Sequence, residues 1–183
     1  MLVVALVFRD DDDNQLVYPE GNSTLESARG FRGFPLYYAG QEVAGLRLAA
    51  VQRIDRTSPA PHVEFTFVYG GCHAASDRGC APPLTILLWP ACYRYETRYS
   101  VPTRERISLR GVPGRVSDEP RRLELYPSGS TIVINGFGLS SRGDLLRVGR
   151  RLRGVNVPLA AGAALPARPR HAGHTIRCGA SGR

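Results

Sequence analysis

The chain has 183 residues, 43% hydrophobic and 22% charged, with 20 glycines and 14 prolines. That composition excludes wholesale disorder and a fibrous repeat, and the length fits one ordinary domain with one core. The formal net charge is +8, and all 24 basic residues are arginine, a bias that a GC-rich genome explains before any role in phosphate recognition does. Charge is unevenly spread: residues 1–30 hold two arginines against six acids, residues 104–153 hold eleven against five, and residues 154–183 hold four and no acid.

The chain opens on an apolar run, Met1 to Phe8, stopped by Arg9 and the acidic Asp10 to Asp13. Eight residues are too few to span a bilayer, and no basic leader marks a signal peptide. Two readings stand: an N-terminal strand, or the end of a transmembrane anchor truncated at Met1. The tetra-aspartate lacks the alternating ligands and turn glycine of a calcium loop. It reads as a solvated run, and Asn22-Ser-Thr24 reads as linker. Residues 1–33 are therefore expected to be an apolar segment and acidic tether.

From Phe34 the pattern changes to alternating apolar and polar residues, so residues 34–157 are expected to form a single α+β domain. Phe34 to Tyr38 reads as a short strand, and Gly45 to Ile54 fits strand or helix. His62 to Tyr69 reads as a strand from its β-branched and aromatic content, and Leu84 to Trp89 is an apolar run of strand length. Arg106 to Leu109, Arg122 to Tyr126 and Thr131 to Phe137 read as further strands, the last two joined in a hairpin through Pro127 to Ser130. An amphipathic helix follows. Ser141 and Asp144 supply a variant capping box, Leu145, Val148, Leu152 and Val155 share one face, and Gly154 marks the stop. The fold class is α+β, a mostly antiparallel sheet with this C-terminal helix packed on a face. Residues 158–183, rich in Ala, Gly, Pro and Arg, are expected to be a disordered basic tail.

Four cysteines carry most of the chemistry. Cys72 and Cys80 bracket a loop between two strands, within disulfide reach if the strands pair; closing it is worth on the order of 2.5 kcal/mol. Such a bond implies an oxidising compartment. The pairing of Cys92 and Cys178 is open. Cys72, His73, Cys80, Cys92, His171, His174 and Cys178 lack the tight ligand pairs of a zinc site, so no metal is assigned. His73 adjoins Cys72, but strand neighbours face opposite ways, which argues against an activated thiol.

No triad or paired-carboxylate spacing is legible, so no catalytic residue or cofactor is assigned, and the reading leans away from an enzyme. Arg142-Gly-Asp144 matches an adhesion tripeptide but lies where helix capping already employs Asp144. Arg147, Arg150, Arg151 and Arg153 form a candidate basic surface on the helix at 142–153. No nucleic-acid module accompanies them, which weighs against nucleic acid.

The strings Phe34-Pro-Leu-Tyr-Tyr-Ala-Gly40, Val68-Tyr-Gly-Gly-Cys72, Gly79-Cys-Ala-Pro-Pro-Leu84, Leu123-Glu-Leu-Tyr126 and Thr131-Ile-Val-Ile134, with the closing helix, resemble extracytoplasmic proteins of high-GC actinobacteria. The resemblance spans about residues 34–156. It implies an N-terminal membrane anchor and an extracytoplasmic location, and no activity. The function expected is a non-enzymatic module binding an envelope or protein partner. The alternatives are a nucleic-acid or anionic-surface binder using the arginine helix, and a hydrolase without a recognisable motif.

Overall fold

The β-branched and aromatic run His62–Tyr69 is a strand over its whole length and lies inside an eight-stranded antiparallel sheet. The computed structural model describes residues 16–17, 22–57, 61–73, 81–93 and 105–168. Its elements in chain order are β1 (Leu16–Val17), α1 (Leu25–Gly30), β2 (Tyr37–Tyr38), β3 (Glu42–Val43), β4 (Leu46–Arg56), β5 (His62–Tyr69), β6 (Cys72–His73) and β7 (Leu84–Pro90). A 3-10 turn at Ala91–Tyr93 follows, then β8 (Glu105–Leu109), β9 (Val112–Asp118), β10 (Arg121–Leu125), β11 (Ser130–Asn135), α2 (Arg142–Arg151) and β12 (Arg153–Gly154). The α+β expectation holds.

The sheet order β3-β4-β5-β7-β11-β10-β9-β8 comes from two meanders laid side by side. The first runs from one edge to β7. The second starts at the far edge with β8 and works inward until β11 pairs with β7. Two small ribbons stand apart from the sheet, β1 with β6 and β2 with β12. Two tight hairpins turn on paired left-handed residues, Ala44-Gly45 between β3 and β4 and Arg110-Gly111 between β8 and β9. This is the type I′ geometry that matches strand twist.

Register sets the core. Phe67, Ile86 and Ile134 lie opposite one another across β5, β7 and β11, and Phe65, Leu88 and Ile132 form the next row; all six are buried. Leu123 and Leu125 extend these rows onto β10. Over β10 the face is covered by α2, whose Leu145 and Val148 are buried, as is Leu152 just after it. Gly149 lets that helix sit close: a Cβ there would lie 2.7 Å from both Leu109 Cδ2 and Leu123 Cδ2. Over β5 the cover is residues 31–38, with Phe31 5.0 Å from Phe65 and Tyr38 5.8 Å from Phe67, ring centre to ring centre.

Several expectations change. Gly45 to Ile54 falls in the strand β4 from Leu46 on, because six of its residues, Leu48 and Ala50 to Ile54, pair with β5. The Phe34 to Tyr38 strand shrinks to Tyr37–Tyr38. The segment α2 ends at Arg151 with Leu152 extended, three residues before Gly154, so Val155 lies outside the helix. The folded body also reaches past both expected bounds. On the N-terminal side, Asn22 exchanges two hydrogen bonds of 2.7 Å with the Arg53 backbone, Thr24 caps α1, and Ala28 is fully buried. Asn22 and Thr24 are thus structural, not linker. On the C-terminal side, Leu165 is buried and its N–H bonds the Arg110 carbonyl at 2.9 Å.

Arg110 explains that ordered tail. Its guanidinium donates to the carbonyls of Leu152 at 2.5 Å, Ala163 at 2.6 Å and Ala160 at 3.3 Å. Partial burial lowers its pKa, with the Tyr37 hydroxyl opposing that shift. Asn156 makes the matching clamp on the N-terminal side, accepting from Leu36 N–H at 2.7 Å and donating to the carbonyls of Phe31 at 2.9 Å and Phe34 at 2.8 Å. The acidic run, Cys80 and residues 169–183 lie outside the described residues.

Candidate functional site

A groove of about 550 Å³ lies between α2, the β3–β4 turn and the loop after β11. Its apolar walls are Val43 and Ala44 from the turn, Leu139 from the loop and Val148 from the helix. Its charged lining is Arg147, Arg150 and Arg151, with Asp144. A pocket of this size suits a small ligand or headgroup, and its mixture of apolar and cationic walls suits an amphipathic acid.

Local sequence places each part. Ala44 takes a positive φ of 52° in the I′ turn, which presents its methyl at the mouth. The loop is pinned at three points: Gly136 N–H to Arg121 carbonyl at 2.9 Å, Gly138 N–H to Pro83 carbonyl at 2.8 Å, and the Arg121 guanidinium to the Leu139 carbonyl. The helix start is fixed by Ser141, whose hydroxyl accepts from Asp144 N–H at 3.2 Å and donates to the Asp144 carboxylate at 2.7 Å. The Ser141 bond and, after it, Arg147 hold the Asp144 carboxyl below its ordinary range.

The four arginines of the candidate surface separate. Arg147 bonds Asp144 one turn back. Arg150 and Arg151 are exposed in the last turn of α2 and pair with no carboxylate among the described residues. They complement the helix's negative end, which leaves their guanidinium groups available on the groove side. Arg153 is not in the lining. Because α2 has ended, its guanidinium lies over the Tyr38 ring at 5.9 Å instead. The Arg142-Gly-Asp144 tripeptide is likewise absorbed by structure, with Arg142 ion-paired to Glu105 at 2.6 Å and Asp144 in the cap. Sequence reasoning missed Val43, Ala44 and Leu139, for which no local signal exists: they meet α2 only through tertiary packing.

On the opposite face of the sheet, the His62 imidazole lies 3.0 Å from one Glu64 oxygen, and Arg56 bonds the other at 2.9 Å. The ring stacks on Tyr93 with 4.5 Å between centroids, and its side chain is only 4% exposed. Glu124, 4% exposed, is held similarly by Arg122 at 2.9 Å and the Tyr126 hydroxyl at 2.5 Å. Among the described residues no group of three or more His, Cys, Asp or Glu side chains converges as a metal site, and no helix is long and apolar enough to cross a membrane.

Cys92, in the 3-10 turn after β7, is disulfide-bonded. The expected Cys72–Cys80 bond lies outside the described side chains. The backbone places Cys72 in β6, opposite Val17.

Fold and site together define a sheet-scaffolded α+β fold with a helix-walled cationic groove. No protein-family model, curated protein or solved structure matches the chain.

Proposed function

We propose that the chain is a non-enzymatic extracytoplasmic binding module whose recognition site is the α2 groove and whose ligands are acidic. The observation that carries this reading is the pair Arg150 and Arg151, exposed on a concave, partly apolar wall without carboxylate partners among the described residues. Guanidinium groups so placed bind carboxylate or phosphate bidentately. The disulfide at Cys92 supports the extracytoplasmic assignment, since cytosolic thiols are kept reduced.

Calorimetric titration with inorganic pyrophosphate tests it. Saturable binding that weakens as ionic strength rises, and that falls about fivefold in Arg150→Gln and in Arg151→Gln, is the expected result. Absence of saturable heat, or affinity in both variants unchanged from the parent chain, overturns it.

A further inference from the structure

We infer that the acidic ligand is a phospholipid headgroup in a bilayer, and that Phe137 is the apolar anchor beside the headgroup groove. The inference rests on the groove reading above and adds the partner. Phe137 is 55% exposed, the one large hydrophobic side chain so exposed among the described residues. A single exposed phenylalanine is ordinary by itself. This one sits on a loop that has little freedom to bury it. Its neighbours Gly136 and Gly138 are hydrogen-bonded to the Arg121 and Pro83 carbonyls at 2.9 and 2.8 Å, and Leu139 is buried. A side chain at Gly138 would collide with Pro83, so the backbone on that side of the ring is fixed by close packing.

The same loop continues directly into the groove lining through Gly138, Leu139 and Ser140, across from Arg147, Arg150 and Arg151. An aromatic ring adjoining an arginine cluster is the pairing that interfacial membrane binding uses: the ring enters the headgroup–acyl boundary while the cations meet anionic lipid. The apolar walls at Val43, Leu139 and Val148 accommodate the glycerol and upper acyl part of a lipid. Nucleic acid fits less well, because such walls offer no row of aromatic platforms for bases.

The test is co-sedimentation of the full chain with vesicles of phosphatidylcholine containing phosphatidylglycerol and with vesicles of phosphatidylcholine alone, run beside the pyrophosphate titration. Binding only to the phosphatidylglycerol vesicles is expected, weakened about tenfold in Phe137→Ser and about fivefold in each of Arg150→Gln and Arg151→Gln. Phe137→Ser should leave pyrophosphate binding unchanged, because Phe137 is not in the lining. Pyrophosphate binding without vesicle binding overturns the membrane inference and leaves the groove reading standing; loss of both removes both. Vesicle binding indifferent to Phe137→Ser or to lipid charge overturns the inference. So does duplex DNA held more tightly than the vesicles.

Discussion

The hydroxyl of Tyr69, on the last residue of β5, donates to the carbonyl of Gly40 at 3.1 Å and accepts from the neighbouring Ala39 N–H at 2.9 Å. This buried bridge ties the sheet to the segment between β2 and β3, which leads into the β3–β4 hairpin whose Val43 and Ala44 line the groove. Burial raises the Tyr69 pKa well above its ordinary value. Removing the hydroxyl strands two buried backbone groups. Tyr69→Phe is expected to destabilise the fold by about 1–3 kcal/mol, read from the midpoint of denaturant unfolding; an unchanged midpoint would show the bridge to be dispensable.

Arg110 is the corresponding tie for the segment that follows α2. Losing three charge-assisted bonds to carbonyls should cost roughly 2–3 kcal/mol, discounted for partial solvent exposure. In Arg110→Ala, amide exchange is expected to accelerate over residues 152–165 while the sheet amides of β5 and β7 stay protected. Uniform acceleration would mean that the tail and the sheet unfold as one unit.

Gly149 tests the docking of α2. An exposed helical glycine gains about 1 kcal/mol on replacement by alanine, but here the methyl would meet Leu109 and Leu123. Gly149→Ala should therefore be net destabilising by about 1–3 kcal/mol. A more stable variant would place the helix farther from the sheet.

Two carboxylates sit below their ordinary pKa, Glu105 through its bond to Arg142 and Asp144 through its bonds to Ser141 and Arg147. Folded values below unfolded ones mean that their contribution is complete above the unfolded carboxylate range and is lost as pH falls through the folded values. Acid unfolding of Asp144→Asn should accordingly show a smaller loss of stability below about pH 4 than the parent chain, with less stability than the parent near neutrality. Parallel pH profiles would remove the role assigned to this carboxylate.

How much of this the sequence discloses differs by element. Strand β5 is legible from its β-branched and aromatic residues and β7 as a continuous apolar run of strand length, and α2 is legible because Ser141, Asp144 and the 3–4 spacing of Leu145, Val148 and Leu152 agree. Strand β9 is hidden, since Pro113 and Gly114 are poor strand residues. Gly114 is required there by the close approach of the Glu124 backbone on β10. Segment β4 is ambiguous locally and is decided only by its pairing with β5. The ordered tail is invisible because Arg110 reads as one more solvated arginine until its three carbonyl partners are in place. The groove is half legible: three of the four arginines singled out on the helix line it, whereas its other walls come from elements far apart in sequence.

The most direct test of the central claim is arginine Nε–Hε spectroscopy of the full chain during titration with inorganic pyrophosphate. The groove account predicts saturable shifts confined to Arg147, Arg150 and Arg151, with Arg53, Arg56 and Arg115 unmoved. Small, non-saturating shifts spread across all the arginines would contradict it and reduce the helix to an ordinary solvated basic face.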